Sequence, residues 1–271
     1  MTGSDVPESP PPRLLAPVAA LGRATLAGAG SIGQVALFAL AALRAALTPR
    51  WFGGQIGRQL WQVGFLSLPV VGMTIWFTGA ALALNVWTGG SRFNAEQAMP
   101  QIVAIGITRE LGPVLAALML AGRVAAAMAS EIGAMRATEQ IDAMTTLSTD
   151  PMRYLIAPRL LAGVLSMPLL TLVANCFGIA GGLVVAVQVL DIPPPTYIQN
   201  TLDYLQDWDV ESGLVKAAVF GFIVALMGCY HGMNARGGAR GVGRAATQAV
   251  VSSAILILAA DYLLTSLFSR M

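Results

Sequence analysis

Five ionisable residues, Arg109, Glu110, Arg123, Lys216 and Asp261, stand in stretches that are otherwise almost wholly apolar. A charge in such surroundings is costly unless it meets another charge, a polar ligand or a wet cavity, so each of the five is a candidate for function. Arg109 and Glu110 are sequence neighbours and cannot stack on one helical face, so each requires a partner elsewhere. Lys216 is a geometrically suitable partner for Asp261, which lies inside another apolar stretch.

Other chemistries are excluded or weak. There is no G-x-x-x-x-G-K-[ST], and Lys216 is the only lysine among 16 basic residues, so a Walker A lysine is unavailable and any ATP hydrolysis must belong to another subunit. The sole histidine, His231, has no Cys or His at ligand spacing, which leaves neither a metal site nor a Ser/His/Asp triad. It is read as structural. Cys176 and Cys229 lie in apolar runs without CxxC spacing and read as small packing residues. Gly28 to Gly33 spells G-x-G-x-x-G, but within a helical apolar run and with no acidic residue about 20 positions on, so it reads as small-residue packing. The arginines are scattered, and no nucleic-acid surface is expected.

The elements that must position these charges follow from composition. Only 11% of residues are charged and 56% are hydrophobic, which is too little charge to cover a soluble globule. The apolar runs show no strand-like alternation, so helices rather than a β-barrel are expected. Residues 1–13 are proline-rich and are expected to be a disordered tail. Spans are expected at about 60–88, 101–130, 156–190, 213–234 and 245–268, the third with a tilt or a kink at Pro168. Residues 14–47 are apolar but punctuated by Arg13, Arg23 and Arg44, and either cross the membrane or lie in its interface with arginines reaching the headgroups.

Arginines Arg44, Arg50, Arg58, Arg136, Arg153, Arg159, Arg236, Arg240 and Arg244 all fall on one side of a five-span arrangement, which makes that side cytoplasmic and the C-terminus periplasmic. An outer loop from Asp191 to Glu211 opens with DIPPP and is expected to be polyproline-like. On the cytoplasmic side, Glu131 to Asp150 interleaves Arg136, Glu139, Gln140 and Asp142 with Ile132, Met135, Ile141, Met144 and Leu147. It reads either as a short amphipathic helix able to dock on a partner or as a solvated or membrane-surface loop.

The stretch TRELGPVLAALMLAGRVAAAMASEIGAMRATEQIDAM resembles the signature of the MlaE/YrbE-type permease family, the membrane subunits of MCE-protein-dependent ABC lipid transporters. VGFLSLPVV, DPMRYLIAPRLLAGVLSMPLLT, RAATQAVVSSA and DYLLTSLF extend the resemblance over most of the chain. It implies an all-α inner-membrane permease with five transmembrane helices preceded by an N-terminal interfacial helix at 14–47, with its N-terminus cytoplasmic. It also implies a homodimer, two cytoplasmic ATPase subunits that carry the ATP and Mg, often a small STAS-domain protein, and a hexameric MCE ring on the periplasmic side. No cofactor is expected on this chain. By the resemblance, Arg109, Glu110 and Leu111 line a phospholipid pocket, with Leu82 and Phe93 among its apolar residues. Residues 131–150 become the ATPase-coupling helix, through Glu131, Arg136, Glu139, Gln140, Asp142 and Met144. An ion-coupled secondary transporter using Glu110 and Asp261 is the alternative.

Overall fold

The computed structural model describes residues 16–47, 53–91 and 98–270; the 1–13 tail and Phe93 lie outside the described residues. All regular structure described is helical: α1 (Ala16–Leu47), α2 (Gly53–Val63), α3 (Leu68–Gly90), α4 (Met99–Gly106), α5 (Gly112–Leu120), α6 (Ala126–Ala137), α7 (Gln140–Thr146), α8 (Ala157–Gln188), α9 (Pro194–Tyr204), α10 (Asp207–Met233) and α11 (Gly238–Phe268). The chain divides within α1 into two compact units, Met1–Ala41 and Ala42–Met271. The described part of the first is helical; the second holds everything considered below.

Among the described residues, six helical stretches are long and apolar enough to cross a bilayer: Gly28–Leu47, Gly54–Gly90, Met99–Ala137, Met152–Gln188, Asp207–Met233 and Gly238–Phe268. The five runs read as spans from the sequence each overlap one of the last five. Their bounds are longer because the helices continue past the hydrocarbon-length core into polar ends. Gly28 to Gly33 lies wholly inside α1, so the strand and turn that a nucleotide-binding loop requires are absent there.

Two sequence expectations are corrected. Residues 131–150 are not one helix. α6 runs on through Glu131 to Ala137, and Thr138 then caps it by donating its hydroxyl to the Ala134 carbonyl at 2.9 Å. Glu139 takes a left-handed conformation, φ 60°, before the short α7. The outer segment is not an extended polyproline loop either. Pro194 and Pro195 occupy the first turn of α9, where a missing N–H costs nothing. α8 carries Pro168 inside a single helix from Ala157 to Gln188.

α8 is the hub, packed against α2, α3, α5 and α10. Its small residues permit this. A Cβ on Gly163 would meet the Gly221 carbonyl oxygen at 2.7 Å and the Ala225 Cβ at 2.9 Å, while one on Gly221 would meet the Met167 Cβ at 2.8 Å. Gly178 and Gly79 form a similar backbone crossing between α8 and α3, and Gly228 and Gly232 approach Ala125 and Ala129. Gly221→Leu is therefore expected to destabilise the protein by about 3 kcal/mol through overpacking, read as a lowered unfolding temperature in detergent. α9 is tied down by Tyr197, 1% exposed, whose hydroxyl donates to the Ile179 carbonyl at 3.2 Å. Burial pushes this phenol up to about 12, so it remains a donor at physiological pH.

Candidate functional site

The TREL segment sits on a π-helical turn, Ile107–Leu111, between α4 and α5. Its cause is local. Pro113 has no N–H to offer the carbonyl of Arg109 four residues earlier, so the regular helical ladder is interrupted and that carbonyl is left without its usual donor. Lys216 on α10 supplies one, with Nζ 3.3 Å from the Arg109 oxygen.

Lys216 is 1% exposed and is the centre of a network. Its ammonium donates to Glu110 Oε2 at 2.7 Å and to Thr265 Oγ1 at 2.7 Å, and lies 3.1 Å from Asp261 Oδ1. The Thr265 hydroxyl in turn donates to Glu110 Oε1 at 3.3 Å. One ammonium thus ties together the π turn, α10 and α11. A buried lysine is tolerable only with partners of this kind, because desolvating a lone ammonium costs several kcal/mol.

Arg109 turns to a different partner, with Nη1 3.6 Å from Asp209 Oδ1. Asp209 is held at the N-terminus of α10 by a capping box: its carboxylate accepts from the Gln206 backbone N–H at 3.2 Å, and the helix dipole favours a negative charge there. The side chains of Arg109 and Glu110 remain 31% and 36% exposed, so this ionic cluster is half open rather than sealed. It can hold a polar or charged group at its exposed edge while its buried edge locks three helices.

Of the residues assigned from the sequence, Arg109, Glu110 and Leu111 share the π turn, and Leu82 lies beside it, 3.5 Å from where a Cβ on Gly106 would fall. Lys216 and Asp261 are brought together, with Glu110 as a third member. Reversing Lys216 and Asp261 together would consequently set a new acid against Glu110, so that exchange does not isolate one pair. Asp209 and Thr265 were not singled out. The Q-x-x-D pattern at Gln206 to Asp209 was a readable cap, whereas nothing in the sequence marks Thr265.

At the arginine-rich end the assigned coupling residues divide into two groups. Glu131 Oε2 is 3.0 Å from Arg159 Nη2 of α8, and Arg159, which also donates to the Leu155 carbonyl at 3.0 Å, is only 6% exposed. Arg159 is the buried member of this pair, whereas the Glu131 side chain is 48% exposed. Arg136 and Asp142 bridge the α6 to α7 turn at 2.8 Å. Glu139 and Gln140 are exposed there, Met144 is half-buried and Leu147 is 78% exposed. The α10 to α11 turn at Arg236 to Gly238 faces this piece across a cavity of about 320 Å³.

His231 Nε2 lies 2.9 Å from Ser252 Oγ, joining α10 to α11. Among the described residues there is no His, Cys, Asp and Glu grouping able to hold a metal.

Comparison with known proteins places the chain in a family. Residues 56–267 match the family described as permease MlaE. The chain is 50% identical over 250 residues, 92% of its length and 96% of the relative's, to a probable ABC transporter permease protein of Rickettsia bellii. It is 39% identical over 207 residues, 76% of its length and 79% of the relative's, to a probable ABC transporter permease protein of Synechocystis. It is also 34% identical over 213 residues, 78% of its length and 81% of the relative's, to the intermembrane phospholipid transport system permease protein MlaE of Haemophilus influenzae. The alternative of an ion-coupled secondary transporter finds no support in these relatives. With its all-helical membrane architecture and this run of matches, the chain belongs to the MlaE permease family, non-catalytic membrane subunits of ABC transporters.

Proposed function

We propose that this permease moves phospholipid between the inner membrane and a periplasmic MCE-protein conduit, maintaining outer-membrane lipid asymmetry and powered by ATP on separate ATPase subunits. The observation that carries this reading is the half-open ion network at Arg109, Glu110, Lys216 and Asp261, in a chain related to a phospholipid-transport permease. Arg109 and Glu110 hold the polar part of the lipid, and Leu82 and Leu111 meet its acyl chains; Phe93, assigned with them by the family resemblance, lies outside the described residues. The working unit is a homodimer with two ATPases, an MCE hexamer and a STAS-domain protein. This chain itself binds no cofactor. Its arginine-rich end is cytoplasmic, its C-terminus periplasmic, and residues 14–47 lie in the interface as a helix preceding five spans.

Transmission runs along one piece of chain. Met99–Ala137 is a continuous helical stretch interrupted by two π turns, Ile107–Leu111 and Ala121–Ala125. From Arg136 to Glu110 it spans about 39 Å. ATP-driven closure of the ATPases, gripping α7, displaces the far end of this helix and alters the grip of Glu110 on Lys216, a switch between two packed states.

Glu139→Ala with Asp142→Ala is expected to leave folding nearly unchanged, because both side chains are exposed. It should lower lipid-stimulated ATPase activity of the assembled complex several-fold, and unchanged activity would remove α7 from the coupling role. The broader test is copurification with genomic neighbours. An ATPase that comes with the permease, and lipid movement that requires ATP, are expected.

A further inference from the structure

Arg109, Glu110, Glu131, Lys216 and Asp261 each face an opposite charge within the chain. Arg123 does not: it forms no ion pair among the described residues, yet it lies on a π turn inside the Met99–Ala137 stretch, about 12 Å on the membrane side of Glu131. Its guanidinium is anchored by one edge only. Nη1 donates to Ser67 Oγ at 2.5 Å and to the Gln62 carbonyl at 3.3 Å, at the joint between α2 and α3. Arg123 also lines a cavity of about 210 Å³, together with the apolar Leu66, Val124 and Ala127 and the polar Gln59, Gln62 and Glu131.

An exposed arginine at this depth is costly without a counter-charge. The free edge of a guanidinium is a planar fork suited to two phosphate oxygens. The apolar wall suits hydrocarbon, and the carboxamides of Gln59 and Gln62 suit headgroup oxygens. A soluble anion would find the charge but would waste the apolar wall; a phospholipid uses both.

We propose that this cavity holds a phospholipid of the leaflet at the arginine-rich end, its phosphate paired with Arg123. The site lies on the opposite half of the Met99–Ala137 stretch from Arg109 and Glu110. It rests on the chain being in a bilayer and on the leaflet assignment given above, and does not require the transport reading to hold.

Native mass spectrometry of the full complex in mild detergent tests it, with phosphatidylglycerol and a diacylglycerol of the same chains offered as probes. Wild type is expected to retain one more phosphatidylglycerol per chain than Arg123→Gln, whose affinity should fall about tenfold or more for loss of a charge-assisted contact. Ser67→Ala, which removes the anchoring bond and the hydroxyl's own bond to the Val63 carbonyl but no charge, should retain the lipid, separating charge recognition from a local folding defect. Equal retention of diacylglycerol, or an undiminished lipid count in Arg123→Gln, overturns the proposal. Displacement by excess inorganic phosphate assigns the site to a soluble anion, and dimer loss in Arg123→Gln with no lipid loss assigns Arg123 to a carboxylate of a second copy; either result also overturns it. The count is read without ATP, so failure of the transport assay and failure of this site are independent results.

Discussion

Lys216→Met is expected to abolish lipid transport and to lower stability by about 3 kcal/mol or more, a factor of about 100 in any equilibrium the network governs. The methionine fills much of the volume but leaves Glu110 and Asp261, formerly 2.7 and 3.1 Å from one ammonium, facing each other without a cation. It also strips the Arg109 carbonyl of the donor that replaced the N–H missing at Pro113. Both losses act on the helix contact that joins the π turn to α10 and α11. A neutral set, Lys216→Met with Glu110→Gln and Asp261→Asn, should recover much of the stability, since replacing a whole buried ionic group is far milder than removing one member. Transport should not recover with it. Thermal unfolding in detergent and a lipid-transfer assay on the same preparations separate the two effects, and recovery of transport in the neutral set would reduce the network to a structural bolt.

The second large effect is at the opposite end. Glu131→Ala is expected to cost about 3 kcal/mol, because it leaves Arg159, 6% exposed, without a countercharge among the described residues. Arg159 has little slack to absorb the loss: its Nε is already buried with no hydrogen-bond partner. Glu139→Ala, eight positions on, equally exposed but with no ion pair to a buried arginine among the described residues, should change stability by about 0.5 kcal/mol or less. Melting curves of the two variants in the same detergent decide the matter. Equal shifts would mean that Glu131 and Glu139 belong to one exposed docking surface, as the amphipathic pattern alone suggested.

That contrast marks where sequence reading succeeds and where it stops. Solvent class, helical architecture and the need of Arg109, Glu110, Lys216 and Asp261 for partners were legible, because a charge inside an apolar run is conspicuous whatever its partner. Partner identity was partly legible. Lys216 and Asp261 could be matched by their positions in their spans, but the third member, Glu110, depended on a π turn, which a 3.6-residue periodicity does not reveal. The division of 131–150 was hidden for a related reason. Its amphipathic periodicity continues across Thr138 and Glu139, while a hydroxyl cap and one left-handed residue end the helix. Periodicity reports a face and is blind to a break that keeps the face in register. Arg159 looked like one more topology-marking arginine, since burial against Glu131 is set by the crossing of α6 and α8, and no local pattern encodes that crossing.

The most direct measurement is phospholipid transfer by the purified permease complex in proteoliposomes, with and without ATP, for wild type and Lys216→Met. ATP-dependent transfer in wild type that falls to the ATP-free background in Lys216→Met is the predicted result. Transfer that proceeds equally without ATP, or that survives intact in Lys216→Met, would contradict an ATP-driven permease gated through its intramembrane ion network.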